Sequence, residues 1–202
     1  MSSRSFLESN NYIVIPQFIE RGRAVHLGHE FLQFSRKFKF SGDVDVPKSS
    51  SFYNFPSALD LLCEKTKEVS DILEEPVLPT YSYGRVYKNG SSLRKHTDRR
   101  SCEISITLHL DGNMPWDISI LTPQNETKTI LLKQGDAMLY YGCIATHWRS
   151  TYHGEWYSQF FLHYVKSRGP NAIRFFDNSI DDLSKEQKLI LKYNELDTNK
   201  RN

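Results

Sequence analysis

Between positions 81 and 165 the chain falls into six short stretches rich in β-branched and aromatic residues, at 81–87, 103–110, 118–121, 128–132, 137–141 and 156–165. Turn-forming residues separate them, among them Asn89-Gly90, Asp111-Gly112-Asn113, Gly135-Asp136 and His153-Gly154. Many short strands joined by such turns predict an antiparallel barrel or sandwich. In the stretch 103–110, Ile104, Ile106, Leu108 and Leu110 alternate with Glu103, Ser105, Thr107 and His109. Either the polar face meets water, or it lines a barrel interior around a ligand. Alternation alone does not say which face is inside.

Ahead of this region the pattern is helical. A strand at 11–18 ends at Pro16-Gln17-Phe18, and a helix at 20–38 carries Ala24, Leu27, Phe31, Leu32 and Phe34 near a helical period. A polar loop at 41–51 leads to a second helix at 57–73, with Ser57 as its expected N-cap and Leu61, Leu62, Val69 and Ile72 inward. Pro76 and Pro79 then stop helix formation. The expected fold class is α+β, mainly β with N-terminal helices. One domain spans 1–202, with a strand and supporting helices at 12–78, the β core at 79–166 and a polar tail at 167–202. Leu183, Leu189, Ile190 and Leu191 suggest a terminal helix in that tail. The irregular insert 36–55 reads as a surface loop, with a substrate lid as the alternative.

Composition removes several classes of function. Lys+Arg is 26 against Asp+Glu 24, a net charge of +2, so no nucleic-acid partner is expected. Three cysteines without a C-x-x-C pair exclude a disulfide scaffold and a cysteine-rich zinc site. No apolar run approaches the roughly 20 residues of a membrane span, and Met1-Ser2-Ser3-Arg4-Ser5 lacks a signal-peptide character, so a cytoplasmic protein with no membrane partner is expected. Oligomeric state is not legible.

The chemistry lies in the histidines. His96 and Asp98, two apart in an extended segment, point to one side and can offer adjacent ligands to one metal. H-x-D alone is a weak signal. His147 lies 49 residues beyond Asp98, after a Gly-Asp turn and a strand. Two histidines and a carboxylate that leave coordination positions open suit non-haem Fe(II) handling O₂. His109 and His163 sit on core strands, where they either support the ligands or fill the core.

These features resemble the 2-oxoglutarate- and Fe(II)-dependent dioxygenases of the prolyl 4-hydroxylase type. The matching elements are the leading helices, Arg85-Val86-Tyr87-Lys88-Asn89-Gly90 before His96-Thr97-Asp98, Lys133-Gln134-Gly135-Asp136-Ala137, and His147 followed by Gly154 and Trp156. The resemblance covers 12–165, most specifically 81–165. It implies a double-stranded β-helix (a jelly-roll or cupin-like barrel) with His96, Asp98 and His147 as iron ligands and no catalytic residue beyond them. It also implies 2-oxoglutarate as co-substrate, ascorbate as a candidate reductant, and hydroxylation of an aliphatic C–H, with a peptide prolyl residue as the first guess. Alternatives are a small-molecule substrate, or a non-catalytic metal- or ligand-binding barrel of the same fold.

One departure concerns the co-substrate. The family keeps an Arg or Lys about ten residues after the distal histidine to hold the far carboxylate of 2-oxoglutarate. The corresponding window here, Gly154-Glu155-Trp156-Tyr157-Ser158-Gln159, has no cation. Arg85, sharing a strand face with Tyr83 and Tyr87, and Arg149 are replacement candidates, with Arg99 and Arg100 behind them. Gln159 is a further candidate contact. For Arg85 the alternative is a surface position on the barrel exterior, and for Arg149 a structural ion pair.

Overall fold

The structure, a computed structural model, describes residues 2–39 and 42–177. In chain order the elements are α1 (Ser3–Asn10), β1 (Tyr12–Ile15), α2 (Arg21–Phe38), β2 (Ser49–Tyr53), α3 (Pro56–Leu73), β3 (Val77–Lys88), β4 (Leu93–His96), β5 (Ile104–Gly112), β6 (Ile118–Leu121), β7 (Thr127–Ile130), β8 (Ala137–Tyr140), β9 (His147–Arg149) and β10 (Trp156–Lys166). A 3₁₀ turn occupies Arg100–Cys102, and Ala172–Asp177 is 3₁₀-like with a kink at Phe175 and Phe176. The terminal helix expected around Leu183–Leu191 lies outside the described residues. No helix among the described residues is long and apolar enough to cross a membrane.

Two antiparallel sheets form the core. The larger has strand order β1-β8-β5-β10-β3-β2 and the smaller β4-β9-β6-β7. The sheets face each other, and α2 and α3 cover the outer face of the larger one. This settles the alternation in β5, because both of its faces are buried. Ile104, Ile106, Leu108 and Leu110 join Phe160 and Leu162 of β10 against Leu27 and Phe31 of α2 and Leu61 and Leu62 of α3. Burial of such side chains is worth roughly 1.5–3 kcal/mol each. Ser105, Thr107 and His109 point between the sheets, so the polar face lines the barrel interior. β3 and β10 alternate in phase with it, turning Tyr81, Tyr83, Arg85 and Tyr87, and Gln159, Phe161 and His163, inward. Gly84, on the outer face of β3, lies under Phe31: a Cβ there would stand 2.6 Å from the ring.

Local chemistry explains the helix boundaries. Glu20 caps α2 by accepting from the Gly22 and Arg23 amides, both at 2.8 Å. Ser57 does not cap α3. The helix starts one residue earlier, with Phe55 at the cap and Pro56 in the first turn, where its missing N–H is harmless. The Ser57 hydroxyl instead donates to Glu30 at 2.9 Å. The expected loop and insert also need correction. α2 runs to Phe38, and Ser49–Tyr53 forms β2, an edge strand paired with β3.

Candidate metal centre

His96 ends β4, His147 begins β9, and the two are directly paired across the strands. Direct antiparallel partners hold their side chains close on one face, and here the imidazole centroids are 4.3 Å apart. Each Nδ1 lies 2.9 Å from the backbone carbonyl two residues before it, Arg94 for His96 and Ala145 for His147. A carbonyl only accepts, so each Nδ1 carries the hydrogen and each Nε2 presents its other side to the cavity. Both Nε2 atoms face one oxygen of Asp98, with Oδ1 at 3.4 Å from His96 and 3.5 Å from His147.

Asp98 is held by its surroundings. Its amide donates to the Gly142 carbonyl at 2.8 Å, and its Oδ2 accepts from the Ser105 hydroxyl at 2.9 Å. Gly142 is a glycine of necessity. A Cβ there would stand 2.2 Å from the Cys102 carbonyl oxygen and 2.6 Å from Asp98 Oδ2. Burial would raise the Asp98 carboxyl, but hydrogen bonding from His96 and the proximity of His147 and His163 hold it below its ordinary value. Burial also opposes charge on His96, yet Asp98 shifts it upward, while the more buried His147 is shifted down. An ionised, largely buried carboxylate facing two imidazole nitrogens is a donor set that calls for a cation. The residues fit a divalent metal with positions left open.

The triad opens on a cavity of 410 Å³, whose walls include Tyr81, Tyr83, Arg85, Arg99 and Phe161. Arg85 is 7% exposed and turned inward, so it is not a surface arginine. Its Nη2 pairs with Asp43, whose Oδ2 also accepts from the Tyr83 hydroxyl at 2.9 Å. Tyr87 stands beside it, with its hydroxyl 3.5 Å from Arg85 Nη1. Arg149 lies behind His147 and is engaged elsewhere. Its Nη1 donates to the Trp116 and Asp117 carbonyls at 2.8 and 3.1 Å, and its Nη2 to Gln159 at 3.0 Å. The Gln159 amide donates in turn to Thr107 at 3.0 Å. Of the candidate co-substrate contacts, Arg85 and Arg99 reach the cavity wall, Arg99 through a guanidinium paired with Asp177 at 2.7 Å, whereas Tyr87, Arg149 and Gln159 belong to the packed interior beside it.

Sequence reasoning missed Ser105 and Gly142. A strand serine carries no distinguishing signal, and the only hint of Gly142 was a glycine directly after a strand. That interior also leaves polar atoms unpaired: the Nε atoms of Arg85 and Arg149, Nδ1 of His109 and the Tyr157 hydroxyl are buried without a partner. Such groups cost roughly 1–3 kcal/mol each when left unmet. Of these four, Arg85 alone lines the cavity, so its Nε is the one placed to meet a polar ligand there.

No family model matches the sequence, and no curated protein matches it. Solved structures do match. A prolyl-4-hydroxylase from Pseudomonas putida superposes with a TM-score of 0.64 at 10% identity, covering 81% of this chain and 97% of that one. A prolyl hydroxylase from Trichoplax adhaerens, in complex with a hypoxia-inducible-factor peptide fragment, gives 0.69 at 12%, covering 82% and 88%. HygX from Streptomyces hygroscopicus, with nickel and 2-oxoglutarate bound, gives 0.61 at 11%, covering 91% of each chain. By its fold the chain is a double-stranded β-helix of the kind found in 2-oxoglutarate- and Fe(II)-dependent oxygenases.

Proposed function

We propose that this protein is an Fe(II)- and 2-oxoglutarate-dependent oxygenase that hydroxylates an aliphatic C–H group. The observation that carries the reading is the convergence of His96 Nε2, His147 Nε2 and Asp98 Oδ1 at the wall of the 410 Å³ cavity. His96, Asp98 and His147 would hold the iron. When bound, iron and 2-oxoglutarate together supply the oxidising power, coupling decarboxylation of the co-substrate by O₂ to hydroxylation of an unactivated carbon. Arg85 would hold the far carboxylate, because its guanidinium faces the cavity with Tyr83 and Tyr87 on either side. Tyr81 and Phe161 give the cavity apolar walls that limit water beside the reacting carbon.

A prolyl residue of a peptide is the first substrate class, and a small molecule the second. A Trichoplax neighbour is solved with a peptide and HygX with hygromycin B, and this fold accommodates both. The test is an anaerobic titration of the protein with Fe(II) and 2-oxoglutarate. A weak visible charge-transfer band is expected, absent in His96→Ala, with succinate released once air is admitted. No band in the unaltered protein, together with no succinate, defeats the reading.

A further inference from the structure

The two oxygens of Asp98 serve different neighbours. Oδ1 faces the imidazoles of His96 and His147, while Oδ2 accepts from Ser105, whose hydroxyl also lies 3.0 Å from His163 Nδ1. Cys102 stands on this second side, its thiol 3.0 Å from the Tyr81 hydroxyl. One ligand atom each from Asp98, Cys102 and His163 lie within 4.8 Å of one another. Cys102 and His163 are 2% and 5% exposed, yet both wall the cavity that the triad opens on, so an ion that reaches one set of donors reaches the other.

We propose that Asp98, Cys102 and His163 form a second metal site, for a thiophilic divalent cation of the zinc or cadmium class, sharing Asp98 with the triad. Sulfur supplies the selectivity, since a thiolate favours soft and borderline ions over hard oxygen-seeking ones. Around a tetrahedral zinc-class ion the donors sit roughly 3.5 Å apart. The donors, now within 4.8 Å of one another, would close to that spacing on binding, with the Ser105 hydroxyl yielding its place. The thiol proton leaves to solvent as the metal–sulfur bond forms, and the cavity side leaves a fourth position for water. The two sites draw on one carboxylate, so filling the sulfur site weakens the hold of the triad on its own ion. This inference stands on the donor geometry and does not require oxygenase activity.

Cadmium titration of the whole protein tests it, read by the ultraviolet thiolate-to-cadmium charge-transfer band. One equivalent should produce the band in the unaltered chain and in a Cys63→Ser/Cys143→Ser double variant, which removes the other two thiols. The band should persist in His96→Ala, disappear in Cys102→Ser, and need about tenfold or more cadmium in His163→Gln. His163→Gln also answers for the case where Cys102→Ser fails to fold. No band in the unaltered protein, a band that survives Cys102→Ser, or one lost in the double variant overturns the site. Loss of the iron–2-oxoglutarate band with the cadmium band intact would instead count against the oxygenase reading alone.

Discussion

His96 and His147 are direct cross-strand partners, with their rings 4.3 Å apart and each Nδ1 tied to the carbonyl two residues before it. The backbone thus fixes both imidazoles before any ligand arrives. What it does not fix is Asp98, which hangs in a loop and depends on Gly142 for its backbone bond and on Ser105 for its carboxylate.

Gly142→Ala should therefore disable the centre without touching a ligand. The new Cβ would meet the Cys102 carbonyl at 2.2 Å, Asp98 Oδ2 at 2.6 Å and Ser105 Oγ at 2.7 Å. Crowding of this kind costs about 1–3 kcal/mol, and displacement of Asp98 should weaken Mn(II) or Fe(II) binding about tenfold or more. Urea denaturation and metal titration measure the two effects. Unchanged metal affinity would show that Asp98 does not depend on this close approach.

Asp43 occupies the arginine that we assign to the co-substrate. Its carboxylate pairs with Arg85 Nη2 and accepts from Tyr83, and the charge of Arg85 helps to keep it ionised against burial. Asp43→Asn should remove an internal competitor and tighten 2-oxoglutarate binding, whereas Arg85→Gln should weaken it. A charge-assisted bond of about 1.5–3 kcal/mol sets the scale at roughly 10- to 100-fold for Arg85→Gln. Calorimetry of the Mn(II)-loaded protein reads both. If neither substitution moves the affinity, Arg85 is not the anchor.

Arg149 gives the opposite profile. It satisfies two backbone carbonyls and Gln159 from within the barrel. Arg149→Gln should lower the urea midpoint by an amount equivalent to about 2–4 kcal/mol, since buried acceptors lose a charged donor. Its effect on 2-oxoglutarate affinity should be smaller than that of Arg85→Gln. The reverse ranking would transfer the anchor to Arg149.

These assignments show where sequence reading stops. The histidines and Asp98 are legible because their spacing follows strands and turns. β4 and β9 are not, although they carry both histidines, because four and three residues are too few to show a period. β2 reads as loop because Ser49–Tyr53 pairs through its backbone at a sheet edge, where side-chain pattern matters little. The alternation of β5 has two readings until the helices are placed, since only then do both faces prove to be buried. Gly142 owes its role to a carbonyl forty positions earlier, a relation that exists only in the fold.

The remaining histidines give the protein a definite response to acid. Burial holds His109 and His163 neutral and pushes each down to about 4, with Arg149 further opposing charge on His109. Burial lowers His147 in the same sense. As pH falls through the ordinary histidine value of about 6.5, the unfolded chain takes up protons at these positions and the folded chain does not. The stability they permit is therefore complete above about pH 6.5 and is lost progressively as pH falls toward about 4. His96 acts in the opposite direction: its upward shift adds stability that is complete below about 6.5 and fades as pH rises. Two large downward shifts outweigh one upward shift, so metal-free protein should lose on the order of 1–2 kcal/mol per buried histidine between pH 7.5 and pH 5. Urea midpoints at the two values measure it, and His109→Gln should flatten the dependence. A midpoint that holds steady or rises on acidification would mean that these histidines are not buried in the neutral form.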